Sequence, residues 1–397
     1  MNRLKNKFFF LVFRLLALVS PPTNYFAFCG AGSSRQLCAH IARGGVRRVL
    51  VVTDRPLREL GVVDRALAGF AGLPMDIAFY DGVLPDPSFD HVAEGAAMLR
   101  QHGSEAVLAI GGGSSIDAAK IIAASGVSDE DPRNWIGLGR VRHEVPPIYV
   151  MPTTAGTGSE ATPGAMISDP TTHEKSLLFG FPIQPSAVAL DPELQTGLPP
   201  HITAATGMDA LTHAIETYIS PWERGTRREN AERAVRMIFA NLRTAVDEGS
   251  NLDAREAMCM AAYYAGIAVS QVSVGNVHAI AHQVGGKYGI PHGVANAMVL
   301  PHVLEFCFDE AEQQLAELAV IAGVARDDQA QRERARAFVD AVVALRDEVG
   351  IAATSDKLRV EDYDYLTGLA VKEAVAYFTP RLLDAQSTRA ILARISA

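Results

Sequence analysis

The sequence predicts a two-part chain, an N-terminal α/β domain on a parallel sheet followed by an all-helical C-terminal domain. Three observations carry this. Short β-branched or apolar runs alternate with stretches of helical length through the first half, the spacing of βαβ units. The runs stop after Asp191, where Pro192, Gly197, Pro199 and Pro200 punctuate the chain and a 3.6-residue periodicity takes over. A chain of 397 residues also exceeds what one hydrophobic core organises.

Residues 49–53, 77–80, 106–110, 148–151 and 187–190 read as buried strands, and residues 89–102 and 115–124 as intervening helices. Before the first of these strands, Gly30-Ala31-Gly32-Ser33 opens a helix that runs to Ala42. In the second half, Ala234, Val235, Ile238, Phe239, Leu242 and Val246 form one apolar helical stripe. The expected division is an N-terminal extension over residues 1–20, an α/β domain over 24–195 and a helical domain over 196–397.

Composition excludes several classes. Hydrophobic residues make up 48% and charged residues 20%, a globular rather than a disordered profile. Cys29, Cys38, Cys259 and Cys307 form no CxxC pair, which argues against a disulfide framework and suits a reducing, cytoplasmic compartment. A net charge of −9 gives no reason to expect nucleic acid. Charge is uneven, however: Arg3, Lys5, Lys7, Arg14, Arg35, Arg43, Arg47 and Arg48 all precede the first acid, Asp54. Residues 8–19 are apolar except for Arg14, too short a run to span a bilayer. On a helix, Arg3, Lys7 and Arg14 would share one stripe, which suits peripheral contact at the inner membrane face or docking in a protein groove. A cleaved signal is disfavoured by Arg14 and by the lack of a small-x-small site.

The strand at 106–110 runs into Gly111, Gly112, Gly113 and Ser114. Glycines at such a turn let backbone N–H groups approach a diphosphate at a helix N-terminus, as in a Rossmann-like sheet, although the spacing is not GxGxxG. Thr153 and Thr154 begin a second Gly- and Thr-rich segment directly after a strand, which can line a ligand or cap turns. Asp54 ends the 49–53 strand, where a carboxylate either accepts ribose hydroxyls and repels a 2′-phosphate or caps a helix.

The helical half holds the densest cluster. Asp209 and His213 are four apart, as are His278 and His282, so each pair shares a helix face. His292 follows in a Pro-His-Gly element, and His302 in a Leu-Pro-His element. One carboxylate with several imidazoles suits Fe²⁺ or Zn²⁺ and leaves room for a substrate oxygen. Spacing does not say which histidines bind; His302 is taken as structural.

These residues resemble the iron-containing (group III) alcohol dehydrogenases. The resemblance rests on the Gly-Gly-Gly-Ser turn with Asp117 and Lys120, the segment from Pro152 to Glu160, the segment from Ala205 to Glu216, and the block from Val277 to His302. It covers about residues 26 to 395. It implies metal ligation by Asp209, His213, His278 and His292, iron more often than zinc. It also implies NAD contacts from Asp54, Gly111, Gly112, Gly113, Ser114, Asp117, Thr153, Thr154 and Lys175, with His282 beside the nicotinamide as a proton relay.

The function it implies is hydride transfer between a primary alcohol or aldehyde and NAD(H) by a homodimer or larger homo-oligomer. Gly164 stands where a lactaldehyde reductase-like relative carries asparagine, and Val269 where diol-type relatives carry phenylalanine. Both departures point to a roomier, apolar substrate side and a medium-chain alcohol. The alternatives are a short-chain diol or lactaldehyde oxidoreductase of the same family, and a non-catalytic membrane-associated scaffold. Complete metal and nucleotide motifs speak against the scaffold.

Overall fold

A computed structural model of the protein describes residues 26–171, 175–222 and 225–397. The extension at 1–20, with its expected basic stripe, lies outside the described residues. Among those described, no helix is long and apolar enough to cross a membrane. The chain divides into two compact units, one of residues 26–198 with Gly249–Gly266, the other of Pro199–Glu248 with Ile267–Ala397.

The first unit runs β1 (Ala27–Cys29), α1 (Ser33–Arg43), β2 (Arg48–Val52), α2 (Arg55–Glu59), α3 (Val62–Ala66), β3 (Asp76–Tyr80), α4 (Phe89–His102), β4 (Ala106–Gly111), α5 (Gly113–Gly126), β5 (Ile148–Pro152), β6 (Gly164–Ser168), β7 (Lys175–Phe179) and β8 (Ala187–Leu190). Six strands form one parallel sheet in the order β1-β8-β5-β4-β2-β3. Strands β4, β5 and β8 are buried throughout, which is why they read as continuous apolar runs rather than alternating ones. Leu37, Ile41, Val49, Val51, Leu108, Ile110 and Met151 are fully buried in one core cluster. Strands β6 and β7 pair antiparallel, with Gly164 opposite Phe179, as a separate hairpin that the sequence reading did not foresee.

The chain moves from β2 outward to β3, then returns to the other side of β2 to form β4. That reversal is a topological switch point, and in open α/β sheets ligands bind beyond the carboxyl ends of strands at such a point. Asp54 follows β2 and Gly112 follows β4, so both stand at that edge.

The two glycine-bearing helix starts differ. The N-terminus of α1 is filled by Asp191, whose buried carboxylate accepts Gly32 N–H at 3.3 Å, Ser34 N–H at 3.0 Å and Ser34 Oγ–H at 2.6 Å. Helix α5 begins after Gly112 with no side-chain cap and no acid in its first turn.

The second unit contains α6 (Pro200–Ile219), α7 (Thr226–Asp247), α9 (Asn276–Tyr288), α10 (His292–Phe306), α11 (Glu312–Ile321), α12 (Gln331–Glu348), α13 (Tyr363–Ala374) and α14 (Ala385–Ile395). Between α7 and α9 in sequence lies α8 (Leu252–Ser270). Helical periodicity placed all of α8 in the helical half, yet the stretch through Gly266 clusters with the α/β unit. A reason is visible at Gly158, where a Cβ would stand 2.4 Å from Gly266 Cα. Two glycines therefore let the loop after β5 lie against α8.

Close approach also organises the helical unit. A Cβ on Gly293 would stand 2.0 Å from the Ala205 carbonyl oxygen, so the glycine of the Pro-His-Gly element is what lets α10 start against the backbone of α6. That contact brings His292 to the helix that carries Asp209.

Candidate metal centre and nucleotide site

Asp209 and His213 project from α6, His278 from α9 and His292 from the first residue of α10. Asp209 Oδ1 lies 3.4 Å from His292 Nε2, 3.7 Å from His278 Nε2 and 3.9 Å from His213 Nε2. One ligand atom each of Asp209, His278 and His292 falls within 4.8 Å of the others. The rings of His213 and His278 stack at 4.7 Å. A tetrahedral ion bonded at about 2.0–2.1 Å to its donors holds them about 3.3–3.4 Å apart, so small adjustments suffice.

The surroundings are short of hydrogens. Asn296, fully buried one turn beyond His292, places Nδ2 2.7 Å from Asp209 Oδ1 and 3.2 Å from Nε2 of both His278 and His292. Two amide hydrogens cannot serve three acceptors, and Asn296 Oδ1 is itself buried without a partner. One carboxylate oxygen and two imidazole nitrogens crowded around a single amide is an environment that a cation satisfies, and the residues fit a divalent ion.

Electrostatics agree. Burial by itself would raise the Asp209 carboxyl, but His213, His292 and His278 outweigh it and hold it far below the usual carboxylate range. Burial lowers His278, yet Glu216 and Asp209 raise it further, to about 9. Burial drives His292 well below its ordinary value, leaving a neutral imidazole. The cluster thus keeps Asp209 as a carboxylate among imidazoles.

His282 stands one turn along α9. Its ring stacks on His292 at 5.3 Å, and its Nδ1–H donates to Glu373 Oε1 at 2.6 Å. Gln283 donates to the other oxygen of Glu373, also at 2.6 Å. His302 lies on α10 outside the cluster, lowered by burial. Glu216, Asn296 and Glu373 escaped the sequence reading as contributors to the site. Glu216 is the one with a local signal, since it continues the Asp209–His213 stripe at the next helical turn.

In the α/β unit, Thr154 packs over Gly112, and a Cβ on Gly113 would stand 2.6 Å from Thr157 Cγ2. The Thr153 N–H donates to the Gly111 carbonyl at 3.0 Å. The loop after β5 is therefore seated on the bare start of α5, which fits a diphosphate. Asp54 caps α2, accepting the Leu57 N–H at 2.9 Å through one oxygen, and burial raises its carboxyl. Lys175 pairs with Asp86 at 2.5 Å.

Asp117 is engaged internally: one oxygen accepts the Ser159 hydroxyl and the other the Met166 N–H. Lys120, fully buried beside it, donates to Ser159 O, Ser159 Oγ, Thr162 Oγ1 and Gly164 O at 2.6–3.2 Å. Burial lowers its ammonium to about 8. These contacts make Asp117 and Lys120 the pins that hold the 153–164 loop on α5. Gly164 heads β6, where a Cβ would meet Leu177 and Phe179 at 3.3 and 3.5 Å. Val269 is buried near the end of α8.

A family model described as iron-containing alcohol dehydrogenase matches residues 22–192, and one described as its C-terminal family matches residues 203–396. The chain belongs to the iron-containing alcohol dehydrogenases. It is 35% identical to a 1,3-propanediol dehydrogenase of Citrobacter freundii, over 93% of this chain and 96% of the other. It is 32% identical to alcohol dehydrogenase 4 of Saccharomyces cerevisiae, over 94% and 96%. The fold superposes on a crystal structure of a 1,3-propanediol oxidoreductase with a TM-score of 0.90, at 34% identity and 94% and 100% coverage. The protein is accordingly an alcohol dehydrogenase of a family that uses iron and NAD(H).

Proposed function

We propose that Asp209, His213, His278 and His292 hold the iron, that the turn from Gly111 to Ser114 binds the NAD diphosphate, and that the substrate is a medium-chain primary alcohol or its aldehyde. The observation that carries the reading is the clustering of Asp209 with His278 and His292, with Nε2 of His213 also 3.9 Å from Asp209 Oδ1. When bound, the metal polarises the alcohol or carbonyl oxygen and the nicotinamide exchanges the hydride. Everything else falls to the chain. The α5 N-terminus and the Thr153–Thr154 segment orient the nucleotide, and the free Asp54 oxygen accepts ribose hydroxyls and disfavours a 2′-phosphate. His282 donates Nδ1–H to Glu373, which leaves Nε2 to take the alcohol proton and pass it to solvent. The same reading has the enzyme work in the cytoplasm as a homo-oligomer.

Chain-length preference rests on Gly164 and Val269. Gly164 lacks the polar side chain of a lactaldehyde reductase-like relative, and with it a partner for a second hydroxyl; a Cβ there would lie against Leu177 and Phe179 of the same hairpin. A buried group that matches a substrate hydroxyl is what rejects simple alcohols, so its absence favours apolar chains. Each methylene that finds apolar wall adds ~0.8 kcal/mol of binding. The similarity to 1,3-propanediol dehydrogenase supports the second reading, a diol. Initial rates on ethanol through decanol, with 1,2- and 1,3-propanediol beside them, separate the two. Rising kcat/KM up to medium chain, and a shorter optimum in Val269→Phe, is expected; a clear preference for either diol refutes it.

A further inference from the structure

On α6, residues 209, 213 and 216 follow spacings of four and seven, so Asp209, His213 and Glu216 share one stripe of the helix. Two of them face the ligand cluster directly. The third is a buried carboxylate spent on the start of α9. Glu216 accepts the Gly275 N–H at 2.7 Å, the Val277 N–H at 2.6 Å and the His278 Nδ1–H at 2.6 Å. Gly275 brings no side-chain cap of its own, and a Cβ there would stand 2.7 Å from Glu216 Oε1. The glycine therefore exists to admit this carboxylate, which satisfies the helix start and sits at the favourable end of its dipole.

We propose that Glu216 is a positioning residue of the metal centre that acts through His278. With Nδ1–H committed to Glu216, the Nε2 lone pair is fixed toward Asp209, and the anionic partner makes that nitrogen a stronger donor. The histidines are thereby unequal. His278 is anchored and buried; His292 has a side chain 34% exposed and, among the described residues, no carboxylate on its Nδ1. His278 is the ligand that sets affinity, and Glu216 sets His278. The inference rests on the metal-centre reading above.

The test is the affinity of the full-length protein for Co²⁺, measured by chelator competition with the fold followed by circular dichroism. Glu216→Gln should weaken affinity about 10–100-fold. The same change should keep its full effect on a His292→Ala background and shift affinity by no more than about 2-fold on a His278→Ala background. Wild-type affinity in Glu216→Gln, or equal losses on both backgrounds, overturns the assignment, since a general structural role would act on either. Should Glu216→Gln fail to fold, Gly275→Ala, whose methyl displaces the carboxylate, is read in the same way. A wild type that binds no divalent ion would instead fail the metal-centre reading itself.

Discussion

The two halves of the reaction are built from different materials. The loops of the α/β unit proposed for the nucleotide are backbone and glycine: a bare helix start at Gly113, a carbonyl-to-amide contact from Gly111 to Thr153, and a loop pinned from below by Lys120 and Asp117. The candidate metal centre of the helical unit is side chains throughout, Asp209, His278 and His292 with His213 beside them and Glu216 and Asn296 around them. A backbone site tolerates change in side chains but not the addition of a Cβ. A side-chain site fails when one lone pair is removed. The units should therefore fail separately under mutation.

The largest effect is expected at His278. Removing its imidazole takes away a ligand and one of the three donors to buried Glu216, so His278→Ala should lose bound metal and about 10³-fold or more in kcat/KM. His302→Ala, outside the cluster, should keep both. Elemental analysis beside steady-state rates checks this, and normal metal content in His278→Ala would break the comparison on the metal side. Next comes Gly113→Ala, whose methyl meets Thr157 at 2.6 Å. It should raise the KM for NAD about 10-fold while metal content stays at the wild-type level. Loss of metal in that variant would show that the units are not separable.

A third effect concerns pH. Burial raises the Glu160 carboxyl to about 7, from an ordinary value of 4.5. A raised folded value means the acid form is favoured in the fold. Its contribution is therefore complete below pH 4.5 and lost as pH rises through 7. Between pH 5 and pH 8 the unfolding free energy from urea titrations should fall for the wild type by about 2 kcal/mol more than for Glu160→Gln. Equal falls would contradict the assignment. The smallest effect is on cofactor choice. Wild type should prefer NAD over NADP, and Asp54→Gly should narrow that preference while costing only about a few tenths of a kcal/mol as a cap change. Equal kcat/KM for the two cofactors in the wild type would sharpen the comparison by removing Asp54 from it.

The parallel sheet was legible because burial on both faces writes itself as unbroken apolar runs, as in β2 and β4. Strand β1 was not, since Ala27-Phe28-Cys29 is three residues without a β-branched side chain. The β6–β7 hairpin opens on a glycine and stands off the main sheet, so nothing local announced it. Within the metal cluster, Asp209 and His213 were legible as an i,i+4 pair on one helix. Which further histidines join them was not, because α9 and α10 come to α6 through contacts such as Gly293 on Ala205 that leave no periodic trace. Asn296 and Glu373 meet their partners across 87 and 91 residues of sequence, beyond the reach of any spacing rule.

The central claim is that the Asp209 cluster holds a metal required for NAD-linked alcohol oxidation. The most direct measurement is NADH formation from a medium-chain primary alcohol by the full-length protein, before and after chelation and after return of Fe²⁺. The account predicts that turnover disappears with the metal and comes back with it, in step with iron bound per chain. Full turnover in protein shown by elemental analysis to be free of metal would contradict it.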